Sequence, residues 1–189
     1  MFIQTEQTPN PSVLKFLPGR HVSETGPVEF RDAGEAANSP LAEALFQLDG
    51  VEGVFFGDDF ISVTRGFGGA DWDELKPGVL AAIMDHFLSG QPLLRGEAGA
   101  GANHAVYEGE AAEVVQEIKD VLDSRIRPAV AQDGGDILFD RFEPDTGVLW
   151  LVLRGACAGC PSSAETLKSG VENMMRHYVP EVTRVEQSL

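Results

Sequence analysis

Two kinds of apolar spacing divide this chain. At its start, two short strand-like runs in MFIQTEQTPNPSVLKFLPG flank Pro9-Asn10-Pro11, where both prolines fix φ and withhold an N–H, so a turn is predicted. A helix is predicted over Ser39 to Leu48, with Pro40 just inside its beginning. The runs VEGVFF and FISVTR meet across Gly57-Asp58-Asp59 and read as a hairpin. Asp71 and Glu74 have the spacing of a capping box for a helix with Leu75, Val79, Ile83 and Phe87 on one face, which Pro77 should kink or whose true start it should mark.

Further along, Val114, Ile118, Val121, Leu122, Ile126 and Val130 follow helical spacing, with Pro128 expected to kink the last turn. That helix should stop at Asp133-Gly134-Gly135-Asp136, where glycine takes the left-handed conformation. A strand over Ile137 to Phe142 follows, turned by EPDTG into VLWLVL, which is apolar at consecutive positions and so is expected to be covered on both faces. A helix with Leu167, Val171, Met174 and Tyr178 on one stripe and a short strand around EVTRVE complete an α-β-β-α-β order.

Between the two patterns, RGEAGAGANHAVYEGE is rich in Gly, Ala and Glu and has no apolar period, as a flexible connector does. The expected organisation is therefore α+β: a small domain over 1–94, a linker over 95–110 and a second small domain over 111–189.

Charge narrows the partners. The 14 Lys and Arg against 30 Asp and Glu leave a net charge of -16, of which residues 1–110 carry -11 and the remainder -5. Such a field repels phosphate backbones and anionic membrane surfaces, which argues against nucleic acid and membrane as partners. Apolar runs such as Val148 to Leu153 are too short to cross a bilayer, and the opening residues lack the pattern of an export or organelle leader.

The chemistry concentrates in GACAGCPSSAETLKSG, which contains the chain's 2 cysteines, Cys157 and Cys160. Ser162 and Glu165 read as N-cap and capping-box partner of the following helix, which puts both thiols before its N-terminus, where free N–H groups and the helix dipole favour thiolate. Gly155 and Gly159 leave little bulk around the sulfurs, and Pro161 stiffens the loop. A thioredoxin-like dithiol normally starts its helix with the first cysteine, a poor match here. A structural zinc needs four ligands, and His21, His86, His104 and His177 are scattered without ligand spacing, so they read as surface or partly packed side chains. A 4Fe–4S cluster also wants four thiolates, which two chains related by a two-fold axis would supply together. A shared cluster and a shared zinc ion remain alternatives on this arithmetic.

The other candidates read as structure. GFGGA lacks the Lys-Ser/Thr of a phosphate loop, GDDF is a hairpin turn, and Trp72 and Trp150 have apolar neighbours suited to a core. Asp-Gly-Gly-Asp is first a helix stop, although Asp136 is placed to accept hydrogen bonds near the thiols. No Ser-His-Asp or paired-carboxylate spacing supports hydrolysis, and no enzymatic turnover is expected.

GACAGCPSSAETLKSGVENMM, preceded by IRPAVAQDGGDI, resembles the C-terminal domain of the NifU/Nfu iron–sulfur scaffold proteins, and TPNPSVLKFLPG with DWDELKP resembles the N-terminal domain of their mitochondrial and bacterial members. The resemblance implies that Cys157 and Cys160 ligate iron, that the same pair from a second subunit completes a 4Fe–4S site, and that the protein accepts a cluster from a donor and passes it to apo-proteins. Gly155, Gly159, Pro161, Ser162 and Ser163 would shape that site without ligating. The 2Fe–2S form stays open, and the implied setting is a bacterial cytoplasm, or the mitochondrial matrix for a processed form. The N-terminal domain, without cysteine, is expected to contact clients or to control dimer geometry.

Overall fold

The computed structural model describes every residue except 1, 25, 97–106, 159–160 and 189, and only the backbone of 161–165. Two compact units divide it, Met1–Gly99 and Ala100–Leu189. Most of the connector expected over 95–110, with His104, lies outside the described residues.

In the first unit, β1 (Gln4–Gln7) and β2 (Val13–Leu17) form the expected antiparallel hairpin around the prolines. β4 (Val51–Phe56) and β5 (Ile61–Arg65) form the second hairpin, and its turn also holds Val22, whose N–H donates to the Asp58 carbonyl at 2.7 Å. With β3 (Val28–Phe30), the antiparallel sheet has the order β1-β2-β5-β4-β3. No apolar period announces β3 because it is 3 residues long. Alternation sends Leu14, Phe16, Val54, Phe56, Ile61 and Val63 to one face, and the helices α1 (Pro40–Phe46) and α2 (Trp72–Ser89) add Leu41, Leu45, Leu75, Val79 and Ile83 to the same core. Ser39 caps α1 as a serine before proline should, its Oγ accepting from the Ala42 N–H at 3.2 Å.

The capping box expected on α2 does not form. Asp71 occupies the N-cap position, but its carboxylate accepts from Arg65 Nη1 at 3.2 Å instead of from its own helix. Nor does Pro77 mark the start, since α2 begins at Trp72 and runs through it.

The second unit opens with α3 (Glu110–Val121) and continues, through a π-helical turn over Leu122–Ile126, into α4 (Arg127–Gln132). The irregularity expected at Pro128 thus falls one turn earlier. A proline withholds its N–H and crowds the carbonyl of the preceding turn, and a widened turn accommodates both effects without ending the helix. Gly134, at φ +80°, then turns the chain into β6 (Gly135–Glu143). β6 pairs antiparallel with β7 (Val148–Gly155), and β8 (Arg184–Gln187) lies parallel on the far side of β7. A bulge between Phe139 and Arg141 shifts the side-chain parity, so that Ile137 and Phe142, five positions apart, both reach the core.

Four expectations are corrected here. β7 is not covered on both faces: Leu149, Leu151 and Leu153 are buried while Val148, Trp150 and Val152 are half-exposed, because a three-stranded sheet with its helical core on one side leaves the other to polar cover. Trp150 is accordingly an outer-face residue, with Arg141 stacked 4.3 Å from its ring and its N–H donating to Glu143 at 3.2 Å. On α5 (Pro161–Tyr178) the core stripe passes through Val171 and Met175, continuing to Val179, while Met174 and Tyr178 are exposed. Both choices have helical spacing, so the seating of α5 on the sheet decided between them. Finally, α5 begins at Pro161, which places Ser162 within its first turn and not at its cap. A proline's fixed φ suits the first helical position.

Candidate functional site

Cys157 lies in the turn over 156–158 that links β7 to α5. The turn is built by backbone. Gly155 at φ +61° bends the strand end, the Ala158 N–H closes onto the Gly155 carbonyl at 3.0 Å, and the Ala156 N–H donates to Gly134 at 3.1 Å. The last bond joins the cysteine turn to the Asp-Gly-Gly-Asp segment, and Gly135 pairs with Gly155 across the strands.

The contact is tighter than hydrogen bonding alone requires. A Cβ on Gly135 would stand 2.7 Å from the Cys157 Sγ and 2.7 Å from the Arg154 carbonyl oxygen. The missing side chain therefore makes room for the sulfur, and Gly135 belongs to the thiol's cradle as well as to the helix stop. Cys157 is 6% exposed, its side chain packed with the core of this unit. Cys160 lies outside the described residues, as does Gly159, so the site is described around Cys157.

Beside the glycines, Asp136 is buried and receives a two-pronged hydrogen bond from Arg127, Nε to Oδ1 at 2.9 Å and Nη2 to Oδ2 at 3.1 Å. The third nitrogen, Nη1, donates to Asp123 at 2.9 Å. Hydrogen bonding to Asp136, supported by Asp123, raises the guanidinium pKa still further above its ordinary value, against the opposing effect of burial. This ion pair ties the π-helical turn and α4 to the first residues of β6, two positions from Gly134. Asp136 thus accepts its hydrogen bonds from Arg127. The arginine's part was missed in the sequence, where Arg127 lies nine residues from its partner; an acid directly after two glycines was the available signal.

The described histidines have surroundings of their own. His86 is buried in the first unit, a correction to the surface or partly packed position expected, His21 stands 3.4 Å from Asp58, and His177 stacks edge-on against Tyr178. Among the described residues, no group of three or more His, Cys, Asp or Glu is placed to hold a metal ion, and no helix is long and apolar enough to cross a membrane.

A glycine-cradled thiol on a strand-to-helix turn, in a small α+β unit that follows an acidic α+β unit, defines a two-module protein. Comparison with known proteins then places it. The model of the scaffold protein Nfu/NifU N-terminal domain matches residues 3–90, and that of the NifU-like domain matches residues 118–186. Over 187 residues the chain is 50% identical to NifU-like protein 4, mitochondrial, of Arabidopsis thaliana, covering 99% of this chain and 66% of that one. It is also 50% identical over 187 residues to the human NFU1 iron-sulfur cluster scaffold homolog, mitochondrial, covering 99% of this chain and 72% of the relative. Among solved structures, a NifU-like protein of Saccharomyces cerevisiae aligns with 51% of this chain and 87% of its own at 25% identity, with a TM-score of 0.46. The chain belongs to the NifU/Nfu family.

Proposed function

We propose that this chain is an iron–sulfur cluster scaffold and carrier whose cargo is bound by Cys157 and Cys160. The observation behind this reading is that the NifU-like module covers residues 118–186 and that the chain's 2 thiols both fall within it, one of them on the turn described. Two thiolates are half the set a 4Fe–4S cluster takes, so a second copy contributes the other half and the cargo bridges a homodimer. In the form described, the Cys157 sulfur faces Gly135; capture of cargo turns it outward, and the small residues around it permit that motion. A cluster held by two short turns has few protein ligands to release, which suits delivery to apo-proteins after loading by a donor. The scheme includes no turnover of a small molecule. Its division of labour follows the sequence boundaries, 1–94 for partner contact, 95–110 as connector and 111–189 for cargo.

A thiol–disulfide oxidoreductase requires an accessible thiol of low pKa, and the burial of Cys157 supports that alternative less well. The plant and human relatives are named mitochondrial, which favours the matrix over a bacterial cytoplasm.

The test is anaerobic reconstitution of the full chain with iron, sulfide and reductant, followed by Mössbauer spectroscopy and native mass measurement. About four irons per dimer with a cubane signature are expected, and Cys157→Ala or Cys160→Ala should abolish both cluster and dimer. A complete cubane on one isolated chain would sink the shared-site reading. Colourless zinc binding, or metal-free reduction of insulin, would replace it with one of the alternatives.

A further inference from the structure

Three loops meet at one end of the first unit's sheet, those before β2, before β4 and after β5. Hydrogen bonds lace them together: the Arg65 N–H donates to the Ser12 carbonyl at 2.8 Å, the Gly66 N–H to the Gly50 carbonyl at 2.8 Å, and the Trp72 indole N–H to the Pro11 carbonyl at 3.2 Å. Arg65 spans the mouth of the loop over 66–70, its Nη1 donating to Asp71 at 3.2 Å. Gly68 turns the tip of that loop at φ +81°, and Gly69 packs so closely on the neighbouring loop that a Cβ would stand 3.3 Å from the Gly50 Cα. The tip is pinned at its base and on its flank, and Phe67 is its one large side chain.

Phe67 is 106% exposed, so no described residue covers it. Single apolar residues lying on a surface are ordinary, but a ring at the tip of a pinned glycine loop stands clear of the surface. Half-buried Trp72 and exposed Pro11 lie at the same end of the sheet. Asp49, Glu52, Asp71, Asp73 and Glu74 surround this end with exposed carboxylates, and that of Glu52 fills the place a Gly66 side chain would take. Against them stand Arg65, committed to Asp71, and Lys76, one turn further along α2.

We propose that this end of the first unit docks on a partner protein at an apolar pocket framed by lysine or arginine, with Phe67 entering the pocket and the carboxylates meeting the frame. The inference rests on the reading of residues 1–94 as the partner-contact unit, and it names the surface and the chemistry that surface selects. An aromatic side chain desolvated in a pocket carries much of an interface's binding energy, while the charges around it govern partner choice and encounter rate. A lipid surface is the poorer match, since the same carboxylates are repelled by anionic headgroups.

The experiment follows the N–H signals of the isotope-labelled, cargo-free full chain against three helical peptides of equal length. One is built of Leu and Lys, so that its apolar face is framed by cations; the second has Glu in place of Lys, and the third has Ser in place of Leu. The Leu/Lys peptide should shift Gly66, Gly68, Gly69 and the Trp72 indole in a saturable way and bind about tenfold tighter than either of the others, as one interface anchor predicts. Phe67→Ser should lower that affinity about tenfold. Phe2→Ser, which removes an 86% exposed ring at the opposite end of the sheet, should leave it unchanged. Glu52→Gln combined with Asp73→Asn should weaken binding about threefold and flatten its salt dependence. These side chains are exposed, so their replacement leaves the core intact. Equal affinity for the Leu/Lys and Leu/Glu peptides, shifts spread evenly to the Asp58-Asp59 turn at the other end, or undiminished binding by Phe67→Ser would overturn the proposal. Tighter binding of phosphatidylcholine vesicles through the same signals would overturn it too, assigning Phe67 to a lipid surface. Cluster loading is measured separately and should be unchanged in Phe67→Ser: a chain that loads but shows no such mapping fails this proposal alone, and one that maps but does not load fails the scaffold reading alone.

Discussion

The two units place their irregular features differently. In the first, five strands and two helices close over one core, and its conspicuous departure is a buried histidine. In the second, the irregularities gather around the thiol: a π-helical turn, an arginine–aspartate pair buried on its aspartate side, and a glycine whose missing Cβ the sulfur occupies. Widened helical turns and buried ion pairs add little stability by themselves, and they recur where a backbone must be held for a task. The comparison teaches that the second unit gathers its irregularities beside one turn, whereas those of the first, a register shift between Val51 and Gly53 and a proline inside α2, are scattered through its frame.

Each unit has one tryptophan, Trp72 in the first and Trp150 in the second, so unfolding of each can be followed separately in Trp72→Phe and Trp150→Phe backgrounds. The largest effect is expected from Ile83→Ala, which empties a fully buried position of the first unit and should cost about 2–5 kcal/mol there. Urea unfolding should show the Trp72 transition moving while the Trp150 transition and cluster loading stay in place. If loading fell in step with it, the units would not divide the work as argued.

Gly135→Ala should cost the second unit about 1–3 kcal/mol, since the new methyl meets a backbone carbonyl that has little room to move. Its sharper readout is loading: the methyl displaces the Cys157 sulfur, so reconstituted absorbance should fall far more than stability alone accounts for. Full loading in a folded Gly135→Ala protein would reduce the glycine to a helix stop.

A smaller loss, about 1–2 kcal/mol in the Trp150 transition, is expected for Arg127→Gln. The bond geometry is good and Asp136 is left buried, but the arginine side chain is 32% exposed and solvent screens part of the interaction. An unchanged midpoint would show that the pair does not hold β6 to α4.

The smallest effect is one of pH. Burial lowers the His86 pKa, so the unfolded chain binds this proton more readily than the folded one. The associated stability is present above the unfolded value of about 6.5, and is lost as pH falls through the folded value. A Trp72 transition that weakens below that pH in the parent chain, but less so in His86→Phe, is the expected result. Identical pH profiles would contradict the burial argument.

Local chemistry made part of this legible. The proline turn, the Ser39 cap, the hairpin at Gly57-Asp58-Asp59 and the helix stop at Gly134 each depend on a residue type that restricts its own backbone, and each stands where expected. Asp71 was misread because its carboxylate had a competing donor in Arg65, six residues away in sequence and across a strand end in space. Met174 and Met175 are equivalent by periodicity, and only docking on the sheet distinguishes them.

The chain by itself determined its α+β order, the supply of two thiols and the side chains that bend or cap its backbone, because these follow from covalent structure and short-range sterics. Tertiary structure alone decided that Gly135 gives its space to the Cys157 sulfur, that Arg127 is committed to Asp136, and that His86 is buried. Such facts depend on which distant atoms occupy the same few ångströms, and that is settled only when the elements pack together.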